Sequence, residues 1–232
     1  MNGDTRTLVI TGASRGIGAH LARRAVEQGF HVVGLARRGL GEKKTFEVRL
    51  CDIADAEAVR EALADLRRDS SLYGLINAAG IASMNLAIMT PPETVQRIIS
   101  TNLIGTITCA SMVGRWLAKR RRGRIINFST VAVPLGLKGE SIYVASKAGV
   151  EGFTRAFARE MADFGVTVNA VAPGPVKTDL IAKVPAEKIA AIVERQIIQR
   201  MAEPEDIWKV VSMLLAADAN MVTGQIINVG GV

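Results

Sequence analysis

The chain has 232 residues, 49% of them hydrophobic and 22% charged, with a formal net charge of +7. That balance suits one sizeable globular core and excludes a disordered or low-complexity protein. Only His20 and His31 are present, which excludes a histidine-based metal site or a Ser-His-Asp triad, and no apolar run is long enough to span a bilayer.

The opening MNGDTRT is polar and lacks a secretory signal pattern, so a cytoplasmic protein is expected. RTLVITG then has the length and apolarity of a buried strand. From Gly16 to Gly29, Ile17, Leu21, Ala25 and Val26 recur at helical spacing. HVVGLA is a second strand and FEVRLCD a third, weaker one. Ala54 to Arg68 is amphipathic helix, and GLINAAG a fourth strand. PPETVQRII opens a long helix with proline at its start, where a missing N–H does no harm. That helix ends in AKRRRGR, where the cations complement its dipole and Gly123 is a natural stop. No aromatic residue interleaves with this basic cluster, so it offers no stacking platform and nucleic acid is not an expected partner. GRIINFS is a fifth strand, Ile142 to Asp163 a helix, and GVTVNAVAPG a sixth strand. Ile181 to Arg200 is helical in pattern and reads as a lid over a substrate pocket. Pro204 to Ala217 is helix, and GQIINVGG closes the chain as a seventh strand. Strand and helix alternate throughout, which predicts a parallel seven-stranded sheet with helices on both faces, built as one domain over residues 1–232. Cys51 and Cys109 lie in separate apolar segments and read as buried free thiols of a reducing compartment.

TGASRGIG, from Thr11, joins the first strand to the first helix. A glycine costs about 1 kcal/mol relative to alanine within regular structure, so three of them at fixed offsets mark a backbone that bends tightly and admits something close. At that junction the free N–H groups and the helix dipole favour an anion, of which a dinucleotide pyrophosphate is the usual occupant. Four more stretches belong with it: CDI at 51–53, NAAG at 77–80, YVASK at 143–147 and PGPVKT at 173–178. With TGASRGIG and TNLIGT they resemble, in order and spacing and over nearly the whole chain, the short-chain dehydrogenase/reductase family. TVNAVAPGPVKTDL and TGQIINVGG make the chain most similar to its 3-oxoacyl-acyl-carrier-protein reductases. The resemblance implies a doubly wound Rossmann-type α/β fold and a nicotinamide cofactor.

Tyr143 and Lys147 stand four apart on one helix and so share a face. Reducing a carbonyl requires a hydride on carbon and a proton on oxygen. A free tyrosine titrates near pH ~10, and lowering it by ~3 units takes ~4 kcal/mol. A unit charge at ~4 Å supplies energy of that order at an effective dielectric of ~20, and Lys147 and the oxidised nicotinamide are the cations at hand. The family carries a serine thirteen residues before the tyrosine; here Thr130 stands there, with Ser129 beside it on the opposite strand face. A threonine hydroxyl can still donate to the substrate oxygen, while its methyl stiffens the first torsion and narrows the pocket. The family further implies a ribose contact for Lys147 and a water-linked proton relay for Asn102.

Cofactor choice is read from charge. NAD-users commonly carry an acid at the end of the second strand. Here that position is Ala36, followed by Arg37 and Arg38, so NADP is expected with its 2′-phosphate against Arg37 and Arg15. The resemblance places Gly12, Ser14, Gly16, Ile17 and Gly18 at the pyrophosphate. It places Asp52 and Ile53 at adenine, Asn77, Ala78 and Gly80 along the ribose and in support of the central strand, and Val176 and Thr178 at the carboxamide, with Pro173 and Gly174 also against the cofactor. The short span from Ala36 to Asp52 lacks the family's helix and leaves the adenine edge open. Ala145, Ala148, Gly149, Gly152 and Ala156 allow close helix approach, and because two long helices form a subunit interface in the family, the resemblance implies a homodimer or homotetramer. The substrate expected is a ketone, foremost a 3-oxoacyl thioester. Acyl carrier protein would dock near Arg121, although Phe164 replaces the second docking cation of that group. A sugar, a cyclic ketone or a secondary alcohol is the alternative substrate. A non-catalytic NADP-binding regulator is the alternative from another class, resting on Thr130. No metal is expected.

Overall fold

The computed structural model describes residues 5–39, 45–178, 181 and 184–232. Seven strands form one sheet: β1 (Thr7–Thr11), β2 (His31–Ala36), β3 (Glu47–Leu50), β4 (Leu72–Asn77), β5 (Gly123–Phe128), β6 (Val166–Pro173) and β7 (Ile226–Val229). Their order is β3-β2-β1-β4-β5-β6-β7, and every neighbouring pair is parallel. The helices are α1 (Gly16–Glu27), α2 (Ala56–Ala62), α3 (Pro92–Ile99), α4 (Gly105–Arg120), α5 (Ala132–Leu135), α6 (Ser141–Ala162), α7 (Ala186–Glu194) and α8 (Pro204–Leu215). This is the doubly wound α/β fold expected from the alternation of apolar runs.

The apolar runs follow from burial on both sheet faces. In β1, Leu8 and Ile10 pack with Leu21 and Ala25 of α1 and Trp208 and Val211 of α8. Val9, pointing the other way, packs with Val59 of α2, Val113 and Leu117 of α4 and Phe157 of α6. Each such side chain contributes about 1.5–3 kcal/mol when fully removed from water. Cys51 and Cys109 are free and buried, and burial pushes their thiols up to about 11 and about 12. Among the described residues no helix is long and apolar enough to cross a membrane.

Several boundaries differ from the sequence reading. The helix opened by Pro92 is broken by a π-helical turn at Ser100–Ile104, which widens the coil and turns Asn102 inward. Asp55 caps α2 through the N–H groups of Glu57 and Ala58, and a 3₁₀ turn at Ala64–Arg67 follows where a single helix was expected. The basic cluster does not stop at Gly123. Arg121 takes the left-handed conformation at φ 51° and ends α4, while Gly123 already begins β5. Its guanidinium groups bolt neighbouring elements together: Arg120 donates to the carbonyls of Trp116 and Asp69, Arg121 to Asp163, and buried Arg124 to Ala216, Ala217 and Asn220. Residues 37–39 and 45–46, between β2 and β3, carry no helix, and residues 40–44 lie outside the described set. Of the expected lid at 181–200, α7 is the helical part, and residues 182–183 lie outside the described set.

Candidate active site

The sheet order reverses between β1 and β4, and a cleft opens beyond the carboxyl ends of those strands, as such crevices do in this topology. Its floor is the glycine loop. Gly12 has φ +70°, and a Cβ there would lie 2.8 Å from the Ala79 Cα. A Cβ on Gly18 would run into the carbonyl of Gly12. Only glycine lets the loop, α1 and the β4 end close together. The N-cap of α1, Arg15, makes no side-chain capping bond, and no acid occupies the first turn. Asp55 caps α2, and Glu203 with Asp206 forms a capping box on α8. The α1 terminus thus keeps its positive end for a ligand.

The cleft has a volume of about 440 Å³, and the expected cofactor residues converge on it: Gly12, Ser14, Arg15, Gly16, Ile17 and Gly18 from the loop, Arg37 from the β2 end, Asp52 and Ile53 after β3, Ala78 and Gly80 after β4, and Thr178. Ala36 and Arg38 also line it. The Asp52 carboxylate accepts from the Ala54 N–H at 3.0 Å. Such a glycine-rich cradle at a helix N-terminus, walled by guanidinium groups, fits a dinucleotide. Of the residues expected along the ribose, Asn77 serves the central strand. It does not line the cleft: it is 1% exposed and its Nδ2 donates to Asn127 Oδ1 at 2.9 Å, tying β4 to β5.

A second cavity of about 410 Å³ adjoins the first and shares Ile17, Ala78, Gly80 and Thr178 with it. Tyr143, Lys147 and Thr130 line it, with Pro173, Gly174 and Val176 from the end of β6. Most of the rest is apolar, including Met84, Val131, Leu137 and, on α7, Ile189 and Ile192. α6 brings Tyr143 and Lys147 to one wall, one turn apart. The β5 end brings Thr130, whose Oγ1 accepts from the Ala132 N–H at 3.2 Å where α5 begins. Ser129 is engaged elsewhere: its Oγ donates to Glu151 Oε1 at 2.7 Å.

The electrostatics differ from the sequence expectation. Lys147 hydrogen-bonds to the backbone. Its Nζ donates to the Phe128 carbonyl at 2.7 Å and sits 6.0 Å from the Tyr143 ring centroid. Burial lowers Lys147 to about 8. Burial, and secondarily the Glu140 carboxylate, pushes Tyr143 up to about 12, with Thr130 acting in the opposite direction. Desolvation is thus the largest influence on the Tyr143 phenol in the protein chain itself. Asn102 is fully buried and lines neither cavity. It clamps Ile81, accepting from its N–H and donating to its carbonyl at 2.8 Å each, and donates to Ser146 at 3.0 Å.

Glu140 was not picked out from the sequence. It lines the second cavity three residues before Tyr143, and burial raises its carboxyl against the lowering influence of Lys188. One helical turn of spacing from Tyr143 was the available signal. Gln196 was also missed. It is 4% exposed, its Nε2 donates to the carbonyls of Ile198 and Arg200 at 3.0 and 3.1 Å, and its Oε1 has no hydrogen-bond partner among the described residues. Nothing in the local sequence distinguishes it from a surface glutamine.

Comparison with known proteins agrees with this geometry. The family described as Enoyl-(Acyl carrier protein) reductase matches residues 12–231. The chain is 34% identical over 241 residues to the 3-oxoacyl-[acyl-carrier-protein] reductase FabG of Vibrio cholerae serotype O1, covering 100% of this chain and 98% of the relative. It is 34% identical over 242 residues to FabG of Staphylococcus aureus, covering 98% and 97%. Among solved structures, the aldohexose dehydrogenase of Thermoplasma acidophilum in ligand-free form superposes with a TM-score of 0.89 at 27% identity, covering 98% of this chain and 93% of that one. ElxO with NADP bound superposes with a TM-score of 0.89 at 27% identity, covering 97% of each chain. With the glycine cradle, the Tyr143–Lys147 wall and these matches over its whole length, the chain belongs to the short-chain dehydrogenase/reductase family of nicotinamide-dependent oxidoreductases.

Proposed function

We propose that the chain reduces a ketone with NADPH, and that the ketone is a 3-oxoacyl thioester presented by acyl carrier protein. The observation carrying this reading is the junction of the two cavities, where the cofactor cleft opens onto Thr130, Tyr143 and Lys147. The reduced nicotinamide supplies a hydride when bound. Gly12, Ser14, Arg15, Gly16, Ile17 and Gly18 would hold its pyrophosphate, Ala78, Gly80 and Lys147 its ribose, and Val176 and Thr178 its carboxamide, with Pro173 and Gly174 also against the cofactor. Arg37 and Arg15, with alanine where an acid would sit, support the 2′-phosphate of NADP over the bare ribose of NAD. Thr130 donates a hydrogen bond to the substrate carbonyl, and Tyr143 gives its proton to that oxygen. Burial raises the Tyr143 phenol in the protein chain, so proton transfer calls for the Lys147 and nicotinamide cations to favour the phenolate. Lys147 is a buried cation one turn away, favouring the phenolate that remains. Asn102 holds Ile81 and Ser146 in place beside the cavities and supports the proton relay from that position.

The apolar lining suits an acyl chain, and the FabG relatives are named for this substrate class. Carrier protein would approach near Arg121, which also holds the Asp163 carbonyl, with exposed Phe164 beside it. The catalytic domain spans residues 1–232, with α7 as the lid, and acts in the cytoplasm. Ala145, Ala148, Gly152 and Ala156 are exposed along α6, and a Cβ at Gly152 would meet nothing within 4 Å, which supports a homodimer or homotetramer closed over that face. One observation favours a second reading: the Glu140 carboxylate suits a hydroxyl-bearing ketone such as a sugar. NADPH oxidation against 3-oxoacyl thioesters, cyclic ketones and keto-sugars decides between them. Turnover of sugars alone would replace the thioester reading, and turnover of none would leave an NADP-binding regulator.

A further inference from the structure

Four consecutive residues at the end of β5 meet α6 along one seam. Asn127 Nδ2 donates to Thr154 Oγ1 at 2.9 Å, the Phe128 carbonyl accepts from Lys147 Nζ at 2.7 Å, and Ser129 Oγ donates to Glu151 Oε1 at 2.7 Å. Thr130 follows, sharing a cavity with Tyr143. Tyr143, Lys147 and Glu151 lie at four-residue intervals on α6, so one helix face carries them all. Glu151 is 8% exposed and Ser129 4%. Glu151 lines neither cavity; Ser129 borders the second, but its hydroxyl is given to Glu151, and the proposed reduction uses neither side chain. The other Glu151 oxygen lies 3.4 Å from exposed Arg155. Burying a carboxylate costs free energy that an apolar pair at the same place would avoid, so its presence calls for a positional reason.

We propose that Ser129 and Glu151 are a positioning pair for Thr130. Serine in place of Thr130 could rotate its hydroxyl to follow a small displacement of the strand. Threonine cannot do so freely, because branching at Cβ restricts its first torsion. The Thr130 hydroxyl must therefore be placed by the backbone that carries it. Hydrogen bonds from the Ser129 and Val131 N–H groups to Val171 and Pro173 fix that backbone against β6. They leave its offset from α6 to the side-chain seam, and Ser129–Glu151 is the rung next to Thr130. The inference rests on the roles proposed for Thr130 and Tyr143.

The test uses steady-state NADPH oxidation with whichever panel ketone turns over fastest, alongside NADPH titration and urea unfolding. Glu151→Leu and Ser129→Ala are expected to lower kcat by about 10-fold with KM and NADPH affinity nearly unchanged, as for a small misplacement of a reacting group. Glu151→Gln keeps an acceptor for Ser129 and should restore most of kcat. Ser129→Ala with Glu151→Leu removes the lone buried charge and should recover stability while kcat stays low. Adding Thr130→Ser to Ser129→Ala should raise kcat again, since a serine hydroxyl can rotate. A double variant with wild-type kcat, or a kcat that follows stability through the whole series, overturns the pairing. Tyr143→Phe run beside them separates the two levels: if it retains turnover, the proposed chemistry falls and the inference falls with it.

Discussion

The Lys147 ammonium is buried at 4% exposure and its hydrogen bond goes to the Phe128 carbonyl, two residues before Thr130. Desolvation lowers it from 10.5 to about 8. Between those values the unfolded chain binds a proton that the folded chain does not, so this group makes stability rise with pH across that window. Below pH about 8 the cation is charged in both states, and its burial costs the full amount, of order 3 kcal/mol. Losing the donor to Phe128 gives back about 1 kcal/mol. Lys147→Met should therefore be the more stable protein in urea at pH 7, with the gap closing toward pH 10. NADPH affinity should fall in the same variant. A stability gap that is flat from pH 6 to pH 10 would contradict the burial cost.

Thr130 is expected to be the hydroxyl that polarises the substrate. Thr130→Val keeps shape and removes the donor, and loss of one such donor typically costs ~100–1000-fold in kcat. Thr130→Ser should keep activity and broaden the range of accepted ketones by removing a methyl from the pocket. Full turnover by Thr130→Val would shift the role to another donor. Ser129 is a poor candidate for it, because Glu151 already takes its hydrogen.

Cofactor preference is expected to follow charge at the β2 end, where Ala36, Arg37 and Arg38 line the cleft. Ala36→Asp with Arg37→Ala places a carboxylate where a 2′-phosphate would sit and removes a cation beside it. The ratio of NADPH to NADH dissociation constants, measured by fluorescence titration at one fixed salt, should reverse. A wild-type protein that binds NADH more tightly would refute the assignment.

Much of this was legible because both physical signals are local. Apolar runs such as Leu8–Ile10 and glycine spacing such as Gly12–Gly16–Gly18 are read without knowing the fold. Tyr143 and Lys147, one helical turn apart, were legible only together with the hydroxyl at Thr130, the glycine loop and the family resemblance, since such a pair alone is common on helices. What escaped depends on distant partners. At the π-helical turn the Asn102 amide reaches Ile81 and Ser146, 21 and 44 residues away. The upward shift of Tyr143 comes from burial that α6 acquires only in the packed protein. Ser129–Glu151 joins a strand to a helix across 22 residues, and neither residue carries a signal alone. Asn77 sits in a motif whose neighbours face the cleft, yet its own side chain is spent on the β4–β5 joint.

Gly174 and Gln196 set a final expectation. Gly174 follows β6 in the second cavity, and a Cβ placed on it would fall on the Gln196 amide oxygen. Gln196 in turn closes the 196–200 turn through its bonds to Ile198 and Arg200, and that turn carries α7 into α8. The Ile198 N–H also donates to Gly230 at 2.8 Å, so the whole junction packs against the end of β7. Gly174→Ala must therefore displace Gln196, at about 1–3 kcal/mol for overpacking plus the bonds released. With the turn loosened, amide exchange in residues 186–194 should speed up. KM for the ketone should rise, because Ile189 and Ile192 of α7 wall the substrate cavity. Gln196→Ala in the same chain removes the colliding oxygen, so Gly174→Ala with Gln196→Ala should be more stable than Gly174→Ala alone, although each single change destabilises. Additive destabilisation in that cycle, or unchanged exchange in α7, would show that the glutamine moves aside freely and that the junction does not hold the wall.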